Sequence, residues 1–242
     1  MPDCQILILH GWGSSAKRWE AVKQFLEKMG CSVFVPDLPG FGESAEPECP
    51  WSVEDYAEWV GQWAEKYGLA RFCLAGHSFG GGVAAVFAAK YPEKVDKLIL
   101  IAAAIKRRKT IKRHIFLVIG KTGGWVFSLP LLSFLYPLFR KVLYKIIGVP
   151  DYLIAVSRSQ VIKETFRKIV AEDLSLFLPR ISAPTMLVWG DKDEATPLSD
   201  AHFIKQQLRN ANLKIIQGAG HRLNFEAPEK VAEIIGEFLK TK

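Results

Sequence analysis

The chain has 242 residues, of which 49% are hydrophobic, and its formal net charge is +7 at pH 7. This length and composition can bury a large core, which excludes a disordered protein and favours one domain with an insertion. The charge is concentrated, because residues 105–180 carry a net +11 and the remaining residues carry −4. The basicity therefore belongs to one segment, and we expect no nucleic-acid partner.

The first residues contain no basic stretch and no apolar run long enough for a signal peptide, so we expect a cytoplasmic protein. The cysteines Cys4, Cys31, Cys49 and Cys73 form no C-x-x-C pair and have no histidine at ligand spacing. Phosphate-binding glycine motifs do not occur either. The sequence predicts no disulfide framework, no metal and no organic cofactor.

Six short apolar runs alternate with helical patterns along the chain. Such runs are typical of strands buried on both faces of a parallel sheet. They are QILIL (5–9), SVFVP (32–36), RFCLA (71–75), KLILIA (97–102), TMLVW (185–189) and LKIIQ (213–217). The helical patterns cover 18–29, 53–67, 79–91, 198–209 and 228–239. We predict an α/β fold with a mostly parallel sheet covered by helices on both faces.

The alternation is interrupted once, by residues 105–180, which are far more than an ordinary connection needs. We predict that they form an inserted helical cap or lid between two core segments, 1–104 and 181–242. Such an insertion leaves the sheet at the carboxyl ends of the strands, where open parallel sheets bind ligands.

The predicted cap begins with KRRKTIKR (106–113), six basic residues in eight, and later has an uncharged run at 122–139. Glycines and prolines interrupt that run, which argues against a membrane span and favours an apolar lid over a pocket. The basic run is either a solvated face or a contact for an anionic surface, an acidic carrier protein or a charged substrate.

The stretch LAGHSFGGG (74–82) places Ser78 between a buried strand and a helix, with Gly76 and Gly80 on either side. In a G-x-S-x-G turn the glycines leave room for a strained backbone that projects a nucleophilic serine. The alternative is a purely structural turn, because this short pattern also occurs by chance. A serine nucleophile needs a base and an orienting acid, and His221 and the carboxylates of GDKDEATP (190–197) follow later strands.

Taken together, HGWG (10–13), DLPGFGES (37–44), GHSFGG (76–81), GDKDEATP and GAGHRLNFEAP (218–228) resemble the α/β-hydrolase superfamily. The resemblance spans nearly all of residues 5–240 except the cap, and it implies a hydrolase core at 1–104 and 181–242. It also implies that the two strands that usually open this fold are missing. HGWG, DLPGFG and GHSFGG further resemble serine carboxylesterases such as the biotin-pathway pimeloyl-acyl-carrier-protein methyl esterase.

The resemblance assigns a catalytic triad to Ser78, Asp193 and His221, with Asp191 as the alternative acid. It also implies that the backbone N–H groups of Trp12 and Phe79 form the oxyanion hole. The Trp12 indole either walls the pocket or only packs. Phe41 is expected to pack, and a contact with substrate is the alternative. The remaining histidines are expected to be structural or solvated; they are His10, His77, His114 and His202.

We therefore predict a serine hydrolase that cleaves small-molecule carboxylic esters, with an apolar acyl group, through an acyl-enzyme. A serine at position 78 argues against the members of this fold that use an aspartate nucleophile. Relatives with the same triad cleave lactones or carbon–carbon bonds. Two other classes stay open, which are a non-catalytic ligand-binding protein and a membrane-surface protein that uses its cap chiefly as an anchor.

Overall fold

The computed structural model describes residues 4–106 and 159–241. Within these residues six strands form one sheet in the order β2-β1-β3-β4-β5-β6, and each neighbouring pair is parallel. The strands are β1 (Gln5–Leu9), β2 (Ser32–Phe34), β3 (Phe72–His77), β4 (Val95–Ile101), β5 (Thr185–Gly190) and β6 (Ala211–Ile216). All six apolar runs are strands, as predicted.

The helices among the described residues follow the predicted alternation. They are α1 (Glu20–Lys28), α2 (Val53–Lys66), α3 (Phe79–Lys90), α4 (Gln160–Ile169), α5 (Leu198–Gln207), α6 (Leu223–Glu226) and α7 (Pro228–Lys240). Short 3₁₀ helices span Ala16–Trp19 and Leu174–Arg180. Helix α1 packs with α7 and α2 packs with α3, so helices cover both faces of the sheet, and the predicted fold class is confirmed.

The helix ends follow from local chemistry. The Ser52 hydroxyl accepts a hydrogen bond from the Asp55 N–H, and the Asp55 carboxylate accepts one from the Ser52 N–H. This capping box satisfies backbone donors that a helix start leaves unpaired. Pro228 lies in the first turn of α7, where a missing N–H costs nothing.

Helix α3 is buried on nearly all sides and lies against the sheet where β1 ends. A Cβ added at Gly80 would overlap the backbone carbonyl oxygens of Leu9 and His10. Only glycine permits so close an approach of helix to strand. The start of α3, and the residue before it, are thereby held against the end of β1.

Lys97 is a buried charge inside β4. Its ammonium donates to the carbonyl oxygens of Phe238 and Leu239, both at 3.0 Å, and to that of Thr241. These carbonyls lie at the C-terminal end of α7, where helix carbonyls lack intrahelical partners and a cation is favourable. The strand and the helix end therefore satisfy each other's polar groups.

Most of the predicted cap, including the run at 122–139 and all of KRRKTIKR except Lys106, lies outside the described residues. The Lys106 ammonium lies 4.6 Å from the centre of the Phe203 ring on α5. From the other end of the predicted cap, the Leu174 N–H donates to the Ile105 carbonyl. The cap and its boundaries stay a prediction. None of the helices in 4–106 and 159–241 is long and apolar enough to cross a membrane.

Candidate active site

Three loops at one edge of the sheet carry the residues of interest. Ser78 follows β3, Asp193 follows β5 and His221 follows β6. Because all these strands are parallel, their carboxyl ends lie at the same edge. The fold alone thus brings together side chains that are up to 143 residues apart in sequence.

Ser78 has a positive φ, with φ 54° and ψ −117°. Such a conformation is costly for a residue with a side chain and is found where a structure enforces it. The Ser78 N–H donates to the Ile101 carbonyl, and the Ser78 carbonyl accepts from Gly82 and Ala104. A Cβ at Gly76 would overlap the Gly80 carbonyl, so both flanking glycines are required by contact, as predicted.

The turn is shorter than the sequence indicates. Strand β3 was expected to end at Ala75, but it continues through His77. Gly76 and His77 pair with Leu100 and Ile101 of β4, which extends the ladder to the residue before Ser78. The serine therefore stands directly between a buried strand and the first residue of α3.

A chain of hydrogen bonds links the three side chains. Ser78 Oγ lies 3.0 Å from His221 Nε2, and His221 Nδ1 lies 2.8 Å from Asp193 Oδ2. The carboxylate can only accept when ionised, so Nδ1 carries the proton and Nε2 is free to accept from the serine hydroxyl. The arrangement can move a proton from Ser78 to His221.

Asp193 is buried and accepts several hydrogen bonds. Its Oδ1 accepts from the N–H groups of Ala195, at 2.9 Å, and Thr196, at 2.8 Å. The Thr196 hydroxyl lies 2.9 Å from Oδ2. Burial by itself raises the pKa of Asp193, but the bond and charge of His221 and the bonds from Thr196 outweigh it and hold that pKa below its ordinary value. The carboxyl group is therefore ionised and able to orient His221.

Asp191, the alternative acid, points elsewhere. It is exposed, and its Oδ1 accepts from the Gly218 N–H at 2.6 Å. This bond ties the end of β5 to the turn after β6 but does not involve the His221 ring. The geometry favours Asp193.

Trp12 and Phe79 adjoin the serine on the other side. Their ring centres are 5.3 Å apart with the planes nearly perpendicular, and Phe41 contacts Trp12 at 4.7 Å. Phe166 of α4 also contacts Trp12, at 5.3 Å. Phe41 is 4% exposed, which agrees with the packing role expected for it. The partly exposed Trp12 indole and Phe166 form an apolar surface beside the site.

His10 is a structural residue, as expected, and it shapes the loop that carries Trp12. Its Nδ1–H donates to the Gly11 carbonyl at 2.9 Å, and its Nε2 accepts from the Leu38 N–H at 2.9 Å. Burial lowers the pKa of His10, which keeps the ring neutral in this two-sided contact.

Two residues that hold the His221 loop were not found from the sequence. His77 Nε2 lies 2.8 Å from the His221 carbonyl oxygen, and Glu226 accepts from the N–H groups of Gly220 and Arg222. His77 was expected to be structural or solvated, and it is a buried structural residue whose partner the sequence did not reveal. A signal existed for Glu226, because a carboxylate five residues after a histidine, shortly before Pro228, can accept hydrogen bonds from nearby backbone N–H groups.

Comparison with known proteins identifies the family. A sequence model for the alpha/beta hydrolase fold matches residues 5–117 and 149–228. The chain therefore belongs to the α/β-hydrolase superfamily, as the sequence motifs predicted.

Among the described residues there is no group of three or more His, Cys, Asp or Glu side chains placed to hold a metal ion.

Lipases are among the relatives. The chain is 28% identical to monoacylglycerol lipase ABHD6 of Homo sapiens, over 97% of this chain and 74% of that protein. It is also 28% identical to Lipase 1 of Psychrobacter immobilis, over 94% of this chain and 74% of that protein. The structure of a bacterial membrane phospholipase A matches with a TM-score of 0.73 and 27% identity, covering 98% of this chain and 78% of that one. These relatives support a hydrolase.

Proposed function

We propose that this protein is a serine hydrolase that cleaves small-molecule carboxylic esters through an acyl-enzyme intermediate. The observation that carries the proposal is the unbroken hydrogen-bond chain from Ser78 Oγ through the His221 ring to Asp193 Oδ2. The strained backbone at Ser78 also supports the proposal, because such strain is characteristic of functional positions. The lipases among the relatives agree with an ester substrate.

In the proposed reaction Ser78 Oγ attacks the acyl carbon while His221 Nε2 takes its proton. Asp193 keeps the proton on Nδ1 and stabilises the imidazolium that forms. His221 then returns the proton to the leaving alkoxide, so that the alcohol departs and an ester to Ser78 remains. Water, deprotonated by His221, repeats the attack and releases the acid.

The backbone N–H groups of Trp12 and Phe79 are the proposed oxyanion donors. Phe79 is the first residue of α3, where helix N–H groups lack intrahelical acceptors, and no residue in the described parts of the chain accepts from either N–H. A Cβ at Gly11 would lie 3.4 Å from the Ser78 Cβ, so the Trp12 loop runs alongside the serine. One such donor contributes about 3 kcal/mol to an acyl-transfer transition state.

The test of this function uses a fluorophosphonate probe and Ser78→Ala. We expect the probe to label wild type once per chain, and we expect Ser78→Ala to lose both labelling and ester hydrolysis while staying folded. Loss of a serine nucleophile lowers turnover on the order of a million-fold. Ser199→Ala, at an exposed serine on α5, is the matched control and should keep full activity.

Activity that survives in Ser78→Ala would refute the proposed nucleophile. A wild type that binds esters without hydrolysing them would instead favour the non-catalytic alternative. Substrates should include p-nitrophenyl esters from acetate to palmitate, a monoacylglycerol, lactones and carbon–carbon cleavage substrates. The aromatic surface at Trp12 and Phe166 favours apolar acyl groups.

The location and larger partners of the protein stay predictions. We expect a cytoplasmic protein whose basic run at 106–113 meets either solvent or an anionic surface or carrier protein. Lys106, which is the only residue of that run within the described residues, is exposed and lies over the Phe203 ring.

A further inference from the structure

The loop that carries His221 is held through its backbone by one carboxylate. Glu226 Oε2 accepts from the Gly220 N–H at 2.5 Å, and Glu226 Oε1 accepts from the Arg222 N–H at 3.1 Å. The two oxygens thus bind the N–H groups on either side of His221. Bonds from backbone N–H groups to an ionised carboxylate are among the stronger hydrogen bonds in proteins.

The carboxylate also fits closely against the loop. A Cβ added at Gly220 would lie 3.3 Å from Glu226 Oε2 and 3.4 Å from Oε1, which is tight for any side chain. On the other side of the loop, a Cβ at Gly190 would overlap the carbonyls of Ala219 and Gly220. The loop therefore lies between the end of β5 and the Glu226 side chain, with little room to shift.

A third bond reaches the same peptide segment from the interior. Since a carbonyl oxygen only accepts, His77 Nε2–H donates to the His221 carbonyl across 2.8 Å. His77 is 7% exposed, and burial, with the charge of His221, lowers its pKa to about 3, so it stays neutral. His77 and Glu226 thus fix one segment from opposite sides, one from the core and one from the surface.

Stability of α6 alone does not account for Glu226. The helix has only four residues, and Glu226 is its last, where a negative charge faces the unfavourable end of the helix dipole. The side chain is exposed, so it could have remained in water. Its two bonds go instead to the N–H groups that flank His221.

We propose that Glu226 is a positioning residue of the ester hydrolysis, whose carboxylate clamps the backbone around His221 and so keeps Nε2 in reach of Ser78 Oγ. The inference rests on the proposed function. A displacement of about 1 Å in a reacting group can cost about a hundredfold in rate. The clamp acts through the backbone, and Glu226 itself does not touch the reacting atoms.

The test compares Glu226→Gln and Glu226→Asp with a control, Glu229→Gln. The control changes an exposed glutamate at the second position of α7. Glutamine matches glutamate in size but offers only one acceptor oxygen, so one of the two N–H groups loses its partner. With p-nitrophenyl butyrate we expect Glu226→Gln to lower kcat by about 10- to 100-fold, with KM within about twofold of wild type. Glu226→Asp keeps both oxygens on a side chain that is one methylene shorter, so it should recover part of the loss.

A second readout is the rate of fluorophosphonate labelling. In Glu226→Gln the rate of labelling should fall in parallel with kcat. The final extent should still be one label per chain, because Ser78 is intact and only its activation is impaired. Thermal unfolding shows whether the variant is folded at the assay temperature. Glu229→Gln should match wild type in kcat, KM and labelling rate.

The possible failures are distinguishable. A wild type with neither hydrolysis nor labelling would refute the proposed function itself. An active wild type with an equally active Glu226→Gln would overturn the clamp alone, as would a raised KM at unchanged kcat.

Discussion

The two aspartates after β5 differ in what they contact, which gives a sharp comparison at the level of single residues. Asp193→Asn replaces an acceptor of the His221 Nδ1–H and favours the wrong tautomer of the ring. By analogy with serine proteases, we expect turnover to fall by about four orders of magnitude. Ester hydrolysis by purified variants is the measurement.

Asp191→Asn is the matched variant, because it lies two residues away in the same loop and contacts only the Gly218 N–H. We expect at most a modest loss of activity, since the asparagine oxygen can accept the same bond. If Asp191→Asn were the more damaging change, the assignment of the acid would be off by two residues.

The proposed triad could be predicted from sequence because each member follows a strand that is recognisable as an apolar run. Ser78 has flanking glycines and His221 lies in a glycine-containing loop, so local patterns point to both. His77 and Glu226 were not identified from the sequence because each of them acts through a contact with backbone groups. No pattern around His77 reveals that the carbonyl of a residue 144 positions later lies against its ring.

Among the secondary-structure elements, the contact between α3 and β1 can be tested with glycine substitutions. Gly80→Ala would push a Cβ into the Leu9 and His10 carbonyls, which are backbone atoms and cannot turn aside. We expect a loss of about 1 to 3 kcal/mol in the free energy of unfolding, measured by urea titration. Ester hydrolysis should fall too, because the Phe79 N–H is displaced.

Gly61→Ala, in the middle of α2, is the control with the opposite expected sign. A Cβ there would lie 3.5 Å from the Phe87 ring, which is an ordinary contact. Alanine is favoured over glycine inside a helix by up to about 1 kcal/mol, so this variant should be as stable as wild type or more stable. A Gly80→Ala variant of wild-type stability would contradict the close approach described for α3.

Sequence patterns located these elements well but misplaced some of their ends. Strands buried on both faces read as apolar runs, and that signal persists even where β6 is mostly exposed at the sheet edge. The end of β3 was missed because Gly76 and His77 look like turn residues, although they pair with β4. The start of the first helical pattern is a 3₁₀ turn, a distinction that apolar periodicity does not make.

For the molecule as a whole, buried neutral histidines make stability depend on pH. The pKa of His77 is lowered from an ordinary value of 6.5 to about 3 by burial, with a contribution from His221, and the pKa of His10 is lowered by burial as well. Between pH 6.5 and 3 the unfolded chain binds protons that the folded chain does not. The free energy of unfolding should therefore decrease as the pH is lowered, by up to about 1.4 kcal/mol per pH unit for each such histidine.

Urea titrations at several pH values between 7 and 4.5 would measure this slope. His77→Gln should make the slope of the free energy of unfolding against pH shallower by up to about 1.4 kcal/mol per pH unit, which corresponds to one proton. An unchanged slope in His77→Gln would mean that His77 does not resist protonation in the folded state.

The bonds from Lys97 to the end of α7 bear on how the protein folds as it leaves the ribosome. Thr241 is synthesised 144 residues after Lys97, a delay on the order of ten seconds. Throughout that interval β4 carries an ammonium group whose carbonyl partners do not yet exist. Burial of this charge without them would be costly, so we expect the centre of the nascent sheet to stay hydrated until α7 has emerged and docked. On this basis, folding during translation should be completed in the middle of the sheet only after the C-terminal helix has been made.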